Sequence, residues 1–283
     1  MPTVAIVKNP EPITATTQAL ELIKKDLTPI LTTSKPILIK PNYINDKHPS
    51  TGITTDSRVL EGIVKFLKEN GANNITIGEG AGFTDTHHAF KTAGVDKIAQ
   101  KWNIKLIDLN KDENVEIYPP NPLALKKVKV AKTATESTIV SVPKLKLHRL
   151  ATVTLGLKNM MGALAHKGRM HNGHLHENIA DLASALKPSL TVIDGIIAGE
   201  GHETSGNPVE MNLVIAGTDP VATDAVGAAI MGIQPAQVKH LILAQKKGLG
   251  TCNLNEIEIV GEKIENVKRK FRRSLVSRIL SHL

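Results

Sequence analysis

The chain has 283 residues, 41% hydrophobic but only 2% aromatic, and a net charge of +8, which suits one large α/β domain with an aliphatic core. Its single cysteine, Cys252, excludes an internal disulfide, a cysteine-ligated iron–sulfur cluster and a four-cysteine zinc site. So few aromatics leave no stacking platform for single-stranded nucleic acid; no apolar run of about 18 residues could span a membrane, and the polar start MPTVAIVKNPEP does not read as a signal peptide, so a cytoplasmic location is expected.

In chain order, Thr3–Val7 reads as a strand and Thr16–Leu27 as a helix, with Ala19, Leu20, Ile23 and Leu27 at helical spacing. Pro36–Lys40 is a short strand ending at Lys40-Pro41-Asn42, followed by a turn-rich loop. Asp56 caps a helix whose apolar face is Leu60, Ile63, Val64 and Leu67 and which Gly71 stops. Strand Asn74–Gly78 runs into Glu79-Gly80-Ala81-Gly82, Asp85–Ala93 reads as a helix and Ile104–Leu109 as a strand. This β-α-β-α-β alternation predicts an α/β fold with a mostly parallel or mixed sheet and helices on both faces. Residues 110–135 look irregular. Thr138–Val142 is a strand, Ile179–Leu186 a helix, and Leu190–Ile193 a strand that ends in Asp194-Gly195 before a glycine-rich loop. Asn212–Ala216, a helix from Asp219-Pro220 to Gly232, a helix to Gly248 and strand Ile257–Val260 complete a single domain over 1–261. Residues 262–283 are expected to form a basic amphipathic C-terminal helix, with Lys268 to Arg273 at its start and Val267, Phe271, Leu275, Ile279 and Leu283 along one side.

The segment from Pro143 to His176 stands apart. It carries six Lys/Arg and five of the 11 histidines but no Asp or Glu, although the chain holds 27 acids. Such a field attracts an anion, and imidazoles add groups that titrate near neutral pH or bind metals. Ligands of open parallel sheets bind beyond the C-terminal ends of strands. Polar residues follow five predicted strands: Lys40/Asn42, Glu79-Gly80, Lys144/Lys146/His148, Asp194 to Gly201, and Gly217-x-Asp219. Familiar motifs are missing: Gly78-x-Gly80-x-Gly82 lacks the third glycine of a dinucleotide fingerprint, and there is no P-loop and no nucleophile elbow. On these grounds Lys40, Asn42, Lys144, Lys146, Lys158, Asn159 and Asp194 are candidates to bind an anionic ligand. His148, Glu79 and Glu200 are candidates for proton transfer. His171, His174 and His176 are candidates to hold a divalent transition metal, opposed by the cations around them. Asp219 reads as a helix cap, and Asp224 either faces the site or does not.

Lys40-Pro41-Asn42, Thr54-Thr55-Asp56, Gly78-Glu79-Gly80, Val142-Pro143-Lys144-x-Lys146-x-His148, Gly156-Leu157-Lys158-Asn159-x-x-Gly162, Asp194-Gly195, Glu200-Gly201 and Ala216-Gly217-x-Asp219-Pro220-x-x-x-Asp224 occur in this order. Together they resemble the family called domain of unknown function 362, over about residues 36–261. Some members resemble this core with a ferredoxin-like cysteine-rich segment attached, which implies redox work; one cysteine cannot hold such a cluster. The order is also distantly similar to the lactate-racemase nickel-cofactor family, a likeness of fold only. The leading expectation is an enzyme acting on a small anionic metabolite or cofactor precursor, with metal assistance as an option. The alternative is a non-catalytic protein that docks an acidic iron–sulfur partner, or an anionic membrane surface through the C-terminal helix. Nucleic acid is the least favoured partner.

Overall fold

The computed structural model describes residues 1–273. Among these residues twelve strands form: β1 (Thr3–Lys8), β2 (Ile37–Lys40), β3 (Ile75–Glu79), β4 (Lys105–Asp108), β5 (Asn114–Ile117), β6 (Val128–Ala131), β7 (Thr138–Ser141), β8 (Lys144–His148), β9 (Thr152–Thr154), β10 (Leu190–Glu200), β11 (Asn207–Gly217) and β12 (Glu258–Gly261). Ten belong to one mixed sheet in the order β12-β1-β11-β10-β7-β2-β3-β4, with β8 and β9 attached beside β10. From β10 to β4 neighbours run parallel, whereas β11 is antiparallel to both β10 and β1. Alternation along the strands separates two cores: Val4, Leu38, Ile193 and Ile215 face one side, and Ala5, Ile39, Val192 and Val214 the other. The helices Leu175–Ala185, Pro220–Ile230 and Lys239–Lys246 cover the first face, and Pro12–Leu22 and Ser57–Glu69 the second. The expected α/β architecture is present, with helices on both faces.

The helix caps follow the sequence. Asp56, Asp85 and Asp219 each accept a backbone N–H at the start of the following helix, where such donors have no partner within the helix itself. The only tryptophan, Trp102, ends the helix Val95–Trp102 and donates its indole N–H to Glu61.

Three expectations need correction. The glycine-rich segment after Asp194 is not a loop. β10 continues to Glu200, with an irregularity between Gly195 and Ile197, and forms a long hairpin with β11. Its glycines permit close packing: a Cβ on Gly199 would collide with the Gly52 carbonyl oxygen. Residues 110–135 contain the β5–β6 hairpin, and the loop before β6 is held by Asp181, which accepts N–H bonds from Leu123, Ala124 and Leu125 and pairs with Lys247 at 2.9 Å.

The third correction concerns the tail. Among the described tail residues, Ile264–Val267 is helical and Lys268–Arg273 runs extended. The Arg269 and Phe271 amides donate to the carbonyls of Ile230 and Met231 at the end of a helix, where carbonyls need outside partners. Arg272 donates its amide to Glu200 Oε2 at 2.9 Å, and its carbonyl accepts from Gly201. Val267 and Phe271 are buried in the first core. Backbone pairing with the domain therefore overrides the four-residue spacing. Leu275, Ile279 and Leu283 lie outside the described residues. No helix among the described residues is long and apolar enough to cross a membrane.

Candidate functional site

Strand order explains where a site forms. The chain moves outward from β2 through β3 to β4, then returns to place β7 on the other side of β2. The carboxyl ends of β2 and β7 thus flank a switch point, the usual crevice of open α/β sheets. A cavity of about 450 Å³ opens there. β10 projects beyond this edge and carries β8 with it, Asp194 opposite Lys144 and Gly199 opposite Lys146, so the cavity has a wall as well as a floor. Gly217 pairs with Thr191 at the start of β10. Because β11 is antiparallel, the predicted Gly217–Asp219 group lies at the opposite edge, and Asp219 caps its helix.

The floor is a closed polar network. Lys40, at the end of β2, is fully buried and donates to Glu79 at 3.0 Å, Asn159 Oδ1 at 3.1 Å and the Pro41 carbonyl at 3.0 Å. Glu79, at the end of β3, also accepts from the amides of Tyr43 at 3.1 Å and Gly80 at 2.8 Å. Asn159 donates to the Lys40 carbonyl and to Ser141, and its oxygen also receives Asn42. Each charge here is neutralised and each donor used, so Glu79 is committed to Lys40 instead of free for proton transfer.

Lys144 and Asp194, both predicted to contact ligand, do not line the cavity. They form a fully buried pair at 2.7 Å, and Asp194 also accepts from the amides of Asp56 and Ile196. The alternating run Lys144-Leu145-Lys146-Leu147-His148 is a strand inside the protein, not an exposed basic surface. Asp224 is likewise structural: buried, it accepts the amides of Gly156 at 2.7 Å and Leu157 at 2.9 Å, fixing the turn that presents Lys158 and Asn159. Burial pushes Asp224 up to about 7 against those two bonds.

The walls hold less committed groups. Lys146 donates to the carbonyls of Ile53 at 2.7 Å and Glu203 at 3.2 Å, with no carboxylate on its ammonium. Burial, then Lys158 and Lys144, bring its pKa down to about 7. Lys158 is half-buried, and its ammonium has no hydrogen-bond or ion-pair partner among the described residues. Burial lowers it to about 8, opposed by Glu203 and assisted by Lys40. Arg149 pairs with Glu203 at 3.0 Å, and Lys167 reaches Asn110 and the Leu164 carbonyl.

His148 accepts the amides of Leu150 at 3.1 Å and Ala151 at 3.0 Å on Nδ1. The ring proton therefore resides on Nε2, a tautomer assigned from the bonding network, and His148 is a donor rather than a base. Burial and the cations Lys158 and Lys146 hold its pKa far below the ordinary range. The tight turn it closes puts Thr152 at φ 69°, a strained conformation for a β-branched residue.

Of the predicted metal ligands, only His171 lines the cavity. His174 is exposed beside the start of the helix Leu175–Ala185, and His176 stacks on buried His240 with ring centroids 5.6 Å apart. Among the described residues, no group of three or more His, Cys, Asp or Glu side chains is placed to hold a metal ion. The trio is spread along a 3-10 turn and a helix start, so the anticipated metal site is not assembled. Glu200 is occupied by the Arg272 amide, while the cavity is lined by Glu203, three residues further on.

The sequence reading passed over Arg149, Thr154, Lys167, His202, Glu203 and Phe83 as site residues, all of which line the cavity. Phe83 is 79% exposed at its margin. Three of these, Arg149, Thr154 and Lys167, belong to the acid-free segment that marks the site, which is the available signal.

The model of the family described as domain of unknown function (DUF362) matches residues 37–229. The chain is also similar to a thylakoid-associated protein of Synechocystis sp., 26% identical over 223 residues that span 75% of this chain and 68% of that protein. The matched span begins at β2 and takes in the network of Lys40, Glu79, Asn159 and Asp224. The chain therefore belongs to the domain of unknown function 362 family.

Proposed function

We propose that the cavity binds a small organic anion and that the chain is an enzyme acting on it. The observation that carries this reading is the charge around the space: Lys40, Lys146, Arg149, Lys158 and Lys167 line it with only Glu79 and Glu203, and Glu79 is spent on Lys40. A desolvated cation without a carboxylate gains most from an incoming anion. Lys158 and Lys146 are the binding cations, Lys167 flanks them, and His148 Nε2 supplies a neutral donor. His171, whose pKa is lowered by burial, then by Lys158 and Arg149, is the uncommitted imidazole for moving a proton.

Inorganic phosphate and succinate are expected to raise the melting temperature of the wild-type protein. A ligand bound only by the native state adds about 2.7 kcal/mol at a hundredfold excess over Kd. Lys158→Ala should remove most of the shift. The shift should also shrink between pH 7 and pH 9, because Lys146 and Lys158 lose charge as pH rises through about 7 and 8. An unchanged shift in Lys158→Ala would remove that lysine from the site.

A different observation favours a second reading, attachment to an anionic membrane surface. Lys268, Arg269, Lys270 and Arg272 are exposed along the extended strap, and the Synechocystis relative is described as thylakoid-associated. Polybasic segments add about 1 kcal/mol per cation near an anionic surface. Truncation would be a poor test because Val267 and Phe271 are core residues. Changing the four cations to Gln should abolish cosedimentation with phosphatidylserine vesicles, and salt should weaken the wild-type binding. Equal binding by both proteins would refute this reading.

A further inference from the structure

We propose that Lys158 is a carbonyl-reactive amine, forming an imine with a small 2-oxo acid held in the cavity. The inference rests on the anion-site reading and names the substrate class for it. Three independent observations support it. Lys158 is the cavity lysine with no partner among the described residues, whereas Lys40 is saturated by three acceptors and Lys146 and Lys167 each hold two. Desolvation, with a smaller contribution from Lys40, outweighs the opposing charge of Glu203, and desolvation keeps a lysine amine neutral enough to act as a nucleophile. Two buried polar atoms of lining residues, Asn42 Oδ1 and Thr154 Oγ1, lack any hydrogen-bond partner. Buried polar atoms are rarely left unpaired, and Asn42 Oδ1, an acceptor, calls for a ligand that can donate a hydrogen bond. A ligand that passes through a hydroxyl-bearing intermediate serves both.

The step balances without an oxidant or reductant. Neutral Nζ attacks the carbonyl carbon as the C=O π bond breaks, giving a carbinolamine. One proton passes from Nζ to the former carbonyl oxygen as the carbinolamine forms, and the new hydroxyl hydrogen-bonds to Asn42 Oδ1 as donor and to Thr154 Oγ1 as acceptor. A second proton, taken from solvent, protonates that hydroxyl; water leaves as the nitrogen lone pair closes the C=N bond, and the positive charge remains on the iminium until Nζ gives up its last proton. The carboxylate stays with the flanking cations, and hydrolysis reverses the sequence.

The test is reductive trapping of the wild-type protein with pyruvate and sodium cyanoborohydride, followed by peptide mapping. With a pKa of about 8, Lys158 has roughly 200 times the neutral fraction of an ordinary lysine at pH 7. Even after the lower nucleophilicity of a weaker base, it should be labelled at least about tenfold faster than exposed Lys91 and Lys97. Labelling should rise with pH and level off above about 8, and inorganic phosphate should suppress it. Lys158→Arg should lose the adduct and keep the phosphate-induced melting shift. Labelling no faster than at Lys91, or an adduct on Lys146 instead, overturns the proposal. If phosphate still raises the melting temperature in that case, the anion site stands without the imine. If phosphate neither protects nor stabilises, the anion-site reading falls with it.

Discussion

Glu79→Ala is expected to destabilise the fold by about 3–5 kcal/mol, the cost of removing one partner of a buried ion pair. That is a large fraction of the roughly 5–15 kcal/mol that holds a domain together. Lys40 is wholly inaccessible to water, so its ammonium could not recover the lost carboxylate by hydration. The amides of Tyr43 and Gly80 would lose their acceptor at the same time. Glu79→Gln, which keeps an acceptor of the same shape but no charge, should fall between Ala and wild type. A double variant, Lys40→Met with Glu79→Leu, should recover the part of the loss due to the unpaired Lys40 charge, but not the part due to the Tyr43 and Gly80 amides, which still lack an acceptor. Urea denaturation reads all three. A loss below about 1 kcal/mol for Glu79→Ala, the size of an exposed pair, would show that water reaches Lys40.

Asp194→Ala should be of similar size, about 3–5 kcal/mol, for a different set of reasons. It strips Lys144 of its ion-pair partner at 2.7 Å and leaves the amides of Asp56 and Ile196 without their acceptor. The Asp56 amide lies at the entry to the helix Ser57–Glu69, so the damage should extend to that helix as well as to the irregular step in β10. The informative comparison is Asp194→Asn. It retains an oxygen for one of the two amides, which bind different carboxylate oxygens, removes the charge, and should lose less stability than Ala while leaving the phosphate-induced melting shift intact, because Asp194 does not line the cavity. If Asp194→Asn were as stable as wild type but deaf to phosphate, the residue would be a ligand contact and the buried-pair account would be wrong.

The sheet was legible because β2, β3, β7 and the start of β10 are short aliphatic runs bounded by turn residues, a pattern that survives without tertiary information. The capping aspartates were legible for the same reason: their partners lie within three residues. The site was visible as a region, through the missing acids between Pro143 and His176, but not in its parts. Whether a lysine ends in a salt bridge or in open space depends on residues far along the chain. Lys144 meets Asp194 50 positions away and Lys40 meets Asn159 119 positions away, and nothing local separates them from Lys158. The same holds for Glu200 and Glu203, where a β-hairpin sends one to the strap and the other to the cavity. The tail misled because Val267 and Phe271 are apolar at helical spacing, yet their burial arises from a helix end and a following strap.

The placement of the aromatic residues has a spectroscopic consequence. Trp102 is bonded to Glu61 and is not among the residues that line the cavity, so tryptophan emission, excited where tyrosine does not absorb, should be nearly blind to what enters the site. Phe83, largely exposed at the cavity margin, offers a place to put an optical reporter. In Trp102→Phe with Phe83→Trp, the only indole would stand beside the entrance. Its emission and its quenching by iodide would then follow occupancy in real time, against a background that the native sequence has already kept dark.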